Sequence, residues 1–252
     1  MTDTSPTRSA PIRVDLVIIG VVIVLAIAAL AYVLSQRQQA LRSSPSGLDG
    51  LQVWLTSQGG NVQSFSGGWL LDPDMIGLLV LPVYDTLPDQ ELAAPQTTEA
   101  LLFQQDENDL EWWALHAKID EVPTLIVLPK WRSGMRLTGI AHPALLVEEA
   151  RLNRILQELT GEETTRLSRS RKVFTALPYR DKAGAVLTAE LYAAQLFDGR
   201  ACDPIIGGGT ETLLASCPVA GSDRSVLILS DPDLLNNHGL RLGQNAAIAQ
   251  DY

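Results

Sequence analysis

SVLILSDPDLLNNHGLRLGQN, residues 225–245, runs an apolar stretch of strand length straight into a cluster of carboxylates and amides. Ser225–Leu229 has the near-continuous apolar pattern of a strand covered on both faces. Its carboxyl end delivers Asp231 and Asp233, then Asn236, Asn237, His238 and Asn245. Open α/β sheets place ligands at that end of their strands. Two carboxylates there could hold a hard cation such as Mg²⁺. The plainer alternative is local: the aspartates accept from loop amides, the asparagines satisfy their own backbone, and Pro232 fixes the bend. No third ligand or nucleophile stands beside them. Asp231, Asp233, Asn236, Asn237 and Asn245 are therefore read as a binding or structural motif, with no catalytic residue, metal or cofactor assigned.

Working outward, two further runs repeat the buried-strand pattern, IGLLVL at Ile76–Leu81 and TLIVL at Thr124–Leu128. Amphipathic stretches lie between and beside them. Leu48, Leu51, Trp54 and Leu55 share one face of a helix that Gly59-Gly60 terminates. Glu107–Ile119, Pro143–Leu159 and Leu240–Ile248 also have helical spacing, and Gly161 stops the second of these. Asn61–Phe65 reads as a short strand. Apolar strands alternating with amphipathic helices predict an α/β fold: a mostly parallel sheet with helices on both faces. Residues 162–222 lose that rhythm. Strand-like segments at Val186–Phe197 and Glu211–Ser216, with a Gly207-Gly208-Gly209 turn between them, read as a β-rich insertion.

Ahead of this domain lies Leu16–Leu34, LVIIGVVIVLAIAALAYVL, nineteen residues without a charge. As a helix it would rise about 28 Å, close to the ~30 Å hydrocarbon core of a bilayer. A cleaved signal peptide would show a shorter apolar core followed by a small-x-small site, whereas here the alanines lie inside the run. The expected organisation is a cytoplasmic tail over 1–13, a transmembrane helix over 14–36 contacting membrane lipid, a linker over 37–46 and a domain over 47–252. Arg8 and Arg13 before the helix balance Arg37 and Arg42 after it, so charge does not orient the span. The folded domain with its two cysteines does: it is expected outside the cytoplasm, on a single-pass protein of the cell (inner) membrane.

The four arginines and two aspartates ahead of Ser43 leave 15 basic against 27 acidic residues from there on, a formal −12. Such a domain is unsuited to nucleic acid or anionic lipid. Cys202 and Cys217 flank DPIIGGGTETLLAS and can bridge in an oxidising compartment, or stay two unrelated buried thiols. Neither has the neighbouring Cys or His of a zinc site. His116 falls within a helix, His142 precedes a proline, and only His238 lies near a strand's carboxyl end. No G-x-S-x-G elbow, H-E-x-x-H, Walker loop or G-x-G-x-x-G is present.

A strand leading to D-x-D-L and then asparagines resembles the closing motif of a bacterial family of unknown function, number forty-three-fifty. Its carriers here are Asp231, Asp233, Asn236 or Asn237, and Asn245. Gliding-type ABC-transporter auxiliary proteins end similarly. Ser46-Gly47-Leu48-Asp49-Gly50-Leu51, with Trp54-Leu55 and Gly59-Gly60, resembles the same family's first helix. The resemblance implies a fold like that of class I glutamine amidotransferases, without an established activity. It also implies a protein partner in a membrane complex, since relatives are often encoded beside MoxR-type ATPases and von Willebrand-type membrane proteins. The amidotransferase nucleophile would be a cysteine at a strand-to-helix elbow. Here Thr124–Leu128 runs into Pro129-Lys130-Trp131 instead. The expected function is a non-enzymatic interaction or sensing domain tethered to a membrane. The alternative is a metal-dependent or degenerate hydrolase using Asp231 and Asp233.

Overall fold

A computed structural model describes residues 21–28, 43–64, 72–83, 96, 112–132, 135 and 139–251. The chain divides into two compact units, Met1–Leu41 and Arg42–Tyr252. In the first, residues 21–28 are helical, and Val21, Val22, Ile23, Val24, Leu25 and Ile27 are exposed. The rest of the 14–36 segment expected to span a membrane lies outside the described residues. Among the described residues, no helix is long and apolar enough to cross a membrane.

The second unit is an α/β domain around a seven-stranded mixed sheet. Its strands are β1 (Leu79–Pro82), β2 (Thr124–Val127), β3 (Leu167–Arg169), β6 (Gln195–Phe197), β7 (Asp203–Gly208), β8 (Glu211–Pro218) and β9 (Ser225–Leu229). The path runs β1-β2-β9-β8-β6-β3, with β7 also paired to β8. Among the described strands only β1, β2 and β9 are parallel to one another, in the register Val80–Leu125 and Ile126–Ile228. From β9 onward every pairing is antiparallel. The sheet is therefore mixed, not mostly parallel. The region read as an insertion supplies four of its seven strands; only the hairpin β4 (Phe174–Arg180) and β5 (Val186–Tyr192) forms a separate sheet.

Among the described residues four α-helices flank these sheets: α1 (Asp49–Ser57), α2 (Trp112–Glu121), α3 (Glu149–Thr160) and α4 (Asn245–Asp251). Strand alternation sorts the core into two layers. Ile126, Leu128, Val226 and Ile228 pack with Leu115 and Ile119 of α2 and with Leu152, Ile155, Leu156 and Leu159 of α3. Leu125, Val127 and Leu229 pack with Leu51 of α1, Ile248 of α4 and the inner residues Leu177, Tyr179, Ala189 and Leu191 of the hairpin. Gly161 ends α3 in the left-handed region, φ 69°, as a C-cap glycine does.

Several boundaries differ from the sequence pattern for identifiable reasons. Residues 61–64 form no strand, and Phe65 lies outside the described residues. Pro143–Leu145 is a short 3₁₀ turn, after which Leu146 bridges to Trp131 before α3 begins at Glu149. The apolar spacing at Leu240–Ile248 is helical only from Asn245; Gly239 accepts from Leu242 and Gly243 adopts φ 45°, which keeps 240–244 in turns. Val186–Phe197 is broken by Ala193, whose φ of 42° is costly for a residue with a Cβ. That turn aims the Tyr192 carbonyl and the Gln195 amide at the loops leaving β2 and β9.

Candidate functional site

The parallel strands β2 and β9 are neighbours, with Val127 beside Leu229, so their carboxyl ends emerge side by side. The chain leaves β2 through Pro129-Lys130-Trp131 and leaves β9 through Ser230-Asp231-Pro232-Asp233. Asp231 opens a 3₁₀ turn at Pro232–Leu234, where proline takes the first position and Asp231 Oδ1 accepts from the Asp233 amide at 3.0 Å. This cap is the loop-shaping role open to an aspartate before a proline. It also brings Asp233 to Lys130 at the end of β2.

Lys130 fills the space between the two carboxylates. Its Nζ donates to Asp231 Oδ2 at 2.8 Å, to Asp233 Oδ2 at 2.7 Å and to the Tyr192 carbonyl at 2.5 Å. Asp231 Oδ1, at 3.0 Å, shares the proton aimed at that carboxylate, so three protons serve three acceptor groups. All three charged side chains are wholly buried. Asp233 Oδ1 further accepts from Trp131 Nε1 at 2.9 Å and Asn236 Nδ2 at 2.8 Å, while Asp231 Oδ2 accepts from the Gln195 amide at 2.8 Å. Gln195 Nε2 links the two strand ends by donating to the carbonyls of Pro129 and Ser230, at 3.1 and 2.6 Å. Arg169 in turn holds the Gln195 side-chain oxygen at 2.8 Å.

Burial disfavours every charge here, and the outcome differs by residue. Burial pushes the Asp231 carboxyl up to about 6, against the pull of Lys130. For Asp233 burial acts the same way, but the Lys130 charge and the hydrogen bonds outweigh it and hold the carboxyl below its ordinary value. Burial also draws the Lys130 ammonium toward neutrality, yet its two carboxylate partners leave it above the usual lysine range.

The asparagines take distinct posts. Asn236 Oδ1 accepts from the Gly239 amide at 2.8 Å, closing the turn. Gly239 is required there, because a Cβ would lie 1.5 Å from the Asp233 carbonyl oxygen. Asn245 pins β5, accepting from the Glu190 amide and donating to its carbonyl, each at 2.9 Å. Asn237 faces the start of the domain. Its Nδ2 donates to the Ser44 carbonyl at 2.7 Å, its backbone amide to the Gly47 carbonyl at 2.9 Å, and its Oδ1 accepts from the Gly50 amide at 2.6 Å. The His238 amide adds a bond to the Pro45 carbonyl at 2.8 Å. The loop after β9 thus clasps residues 44–50, the opening residues of this unit up to the start of α1.

The His238 ring stands edge-on to Trp131 and Tyr192, with centroids 6.3 and 6.5 Å away. Among the described residues its buried Nδ1 has no hydrogen-bond partner; Asp233 Oδ2 is 3.8 Å away, beyond hydrogen-bond range. An apolar cleft of about 20 Å³ beside the network is bounded by Leu48, Pro82, Val83, Leu128, Trp131 and Pro232, room for a single water. Away from the site, His142 Nδ1 caps its own turn by accepting from the Ala144 amide.

Cys202 and Cys217 form a disulfide with Cα atoms 4.4 Å apart, one step beyond the Asp203–Ser216 pair of β7 and β8. They are remote in role from the strand-end network, bracing the layer that contains α3.

The sequence pattern places the two aspartates at a strand end but does not single out Lys130, Trp131, Tyr192 or Gln195. Lysine is among the residues least often buried, so a Pro-Lys-Trp after a strand reads as solvated loop. The available signal is topological: if two buried strands are parallel neighbours, a lysine ending one meets the carboxylates ending the other. Set against known protein families, characterised proteins and solved structures, the chain matches none.

Proposed function

We propose that this chain is a non-enzymatic, membrane-tethered interaction or sensing domain acting with a neighbouring membrane complex. The observation that carries this reading is that the protein itself occupies its strand-end site. Lys130 Nζ fills the position a cation would take between Asp231 and Asp233, and Asn237 with His238 holds residues 44–50. A loop that grips the amino-terminal entry of its own domain fits a domain whose position relative to a membrane matters. The disulfide fits an oxidising compartment and so a domain outside the cytoplasm, with residues 14–36 in the bilayer.

The three parallel strands with helices on both layers suit the amidotransferase-like fold that the resemblance to family forty-three-fifty implies. Glutamine hydrolysis does not suit it, because both cysteines are in the disulfide and the turn after β2 presents a buried lysine. The hydrolase alternative would have to displace Lys130 from both carboxylates before metal could enter.

The test is purification of the full chain from solubilised membranes. A stoichiometric membrane companion that is lost on Asn237→Ala supports the proposal. A chain that purifies alone and shows divalent-dependent ester or phosphoester hydrolysis, abolished by Asp231→Asn, replaces it with the hydrolase. Protease added to intact spheroplasts should digest residues 43–252; protection would reverse the orientation.

A further inference from the structure

The network around Lys130 has the components of a reaction within the protein. We propose that Lys130 and Asp231 are joined by an isopeptide bond, formed autocatalytically between Nζ and Cγ with Asp233 as the proton carrier. Three observations carry this. Nζ lies 3.0 and 2.8 Å from the two Asp231 oxygens, so the carboxyl carbon is one bond behind both contacts and is reached once Nζ swings out of the carboxylate plane. Asp233 Oδ2 touches the same nitrogen at 2.7 Å, and its carboxylate is held in place by Trp131 and Asn236. The side chains of all three are fully buried, with the Trp131 ring centroid 5.3 Å from Nζ, so bulk water does not compete for the carbonyl.

The atoms balance without any co-reactant. Asp233 takes one proton from the Lys130 ammonium, leaving a neutral amine beside the protonated Asp231 carboxyl. The nitrogen lone pair attacks Asp231 Cγ and forms the C–N bond. Asp233 relays a nitrogen proton to a hydroxyl of the tetrahedral carbon, the C–O bond breaks, and one water leaves. The products are a neutral secondary amide, a water and a protonated Asp233.

In bulk water such a condensation has little driving force. Here it removes an ammonium and a carboxyl group from a place where each is penalised by burial, and replaces them with one neutral group. Since burial pushes Asp231 up to about 6, mildly acidic conditions populate the electrophilic form. Geometrically the bond would tie the end of β2 covalently to the end of β9, its parallel neighbour in the sheet. It would do so beside the clasp on residues 44–50.

The experiment is mass spectrometry of the full chain, denatured with the disulfide reduced and alkylated. The expected mass is one water below that of the sequence, with a branched peptide joining the segments containing Lys130 and Asp231. Dehydration of Asp49-Gly50 or Asp198-Gly199 to a succinimide would give the same loss, so the branched peptide is decisive. Lys130→Arg should restore the full mass; a water loss that persists in it, without a branched peptide in the wild type, overturns the proposal. Asp233→Asn should also retain the full mass, and a cross-linked Asp233→Asn chain would remove Asp233 from the mechanism. Wild-type protein that keeps its full mass, even after prolonged incubation between pH 5 and 6, refutes the bond whether or not any variant folds.

Discussion

The chain contains the tripeptide Asp-Pro-Asp twice, at 72–74 and at 231–233, and folds it the same way both times. Each copy caps a short 3₁₀ turn, with proline in the first position. The first aspartate accepts from the amide of the second, at 3.1 Å in one copy and 3.0 Å in the other. The local code is the same and the environments are opposite. Asp72 and Asp74 are exposed, whereas Asp231 and Asp233 are wholly buried around Lys130. What separates a surface turn from a charged core network is therefore the element that arrives beside it, not the tripeptide. Here that element is the end of β2.

The largest expected difference between the copies comes from removing the counterion. Lys130→Met leaves two buried carboxylates facing each other, and breaking a buried pair in this way typically costs about 3–5 kcal/mol. Urea denaturation should show this as a large fall in midpoint. No single substitution around Asp72–Asp74 should approach it. If Lys130→Met unfolds at nearly the wild-type midpoint, the network is dispensable and the comparison collapses.

Two glycines sharpen the contrast. Gly239 lies against Asp233, where an added Cβ would sit 1.5 Å from a backbone oxygen, so Gly239→Ala should destabilise by several kcal/mol through displaced backbone. Gly77, three residues past Asp74, has nothing among the described residues within 4 Å of the corresponding position. Gly77→Ala should be neutral or stabilise by about 0.4–1 kcal/mol, by restricting the unfolded chain. Thermal melts of the two variants give the comparison directly.

Legibility in the sequence divides along the same line. The runs containing β1, β2 and β9 are readable because a covered strand needs an apolar residue at nearly every position. The antiparallel half is not, since strands such as β4, with alternating exposure, carry a weaker pattern and their sheet partners are set by tertiary packing. Asp231 and Asp233 can be put at a strand end, because Asp-Pro-Asp after an apolar run is turn chemistry. Lys130 cannot be assigned to them: 101 residues separate Lys130 from Asp231, and no local signal spans that gap. The asparagines are visible as a motif, but the clasp of Asn237 on Ser44, Gly47 and Gly50 depends on tertiary contact.

Acidity distinguishes the buried copy in a specific direction. The Asp231 carboxyl is raised from 3.8 to about 6 on folding, so its contribution to stability is complete below about pH 4 and is lost as pH rises through about 6. Asp233 is depressed, so its contribution is present above about pH 4 and is lost only in stronger acid. Between pH 4.5 and 7 the urea midpoint should therefore fall in un-cross-linked wild-type protein, and Asp231→Asn should flatten that limb. Chains in which the Lys130–Asp231 amide has formed should lack the limb as well.

The smallest effect is the one that isolates the shared local code. Asp72→Ala removes the cap acceptor of the exposed turn and nothing else that the structure places on its side chain. Losing an N-cap acceptor costs about 0.5–2 kcal/mol, and an exposed three-residue turn belongs at the low end because water replaces the lost partner. The melting temperature should drop by no more than a few degrees, and millimolar Mg²⁺ should leave it unchanged. Asp231→Ala removes the equivalent cap and strips a buried ammonium of one partner, so its drop should be several times larger. Millimolar Mg²⁺ should again have no effect on the wild type, because Lys130 Nζ fills the space between the carboxylates. A rise in wild-type melting temperature with Mg²⁺, absent in Asp231→Ala, would mean that the lysine yields to metal by mass action. Equal drops for Asp72→Ala and Asp231→Ala would mean that the two copies differ in burial alone and that Lys130 contributes nothing to the fold.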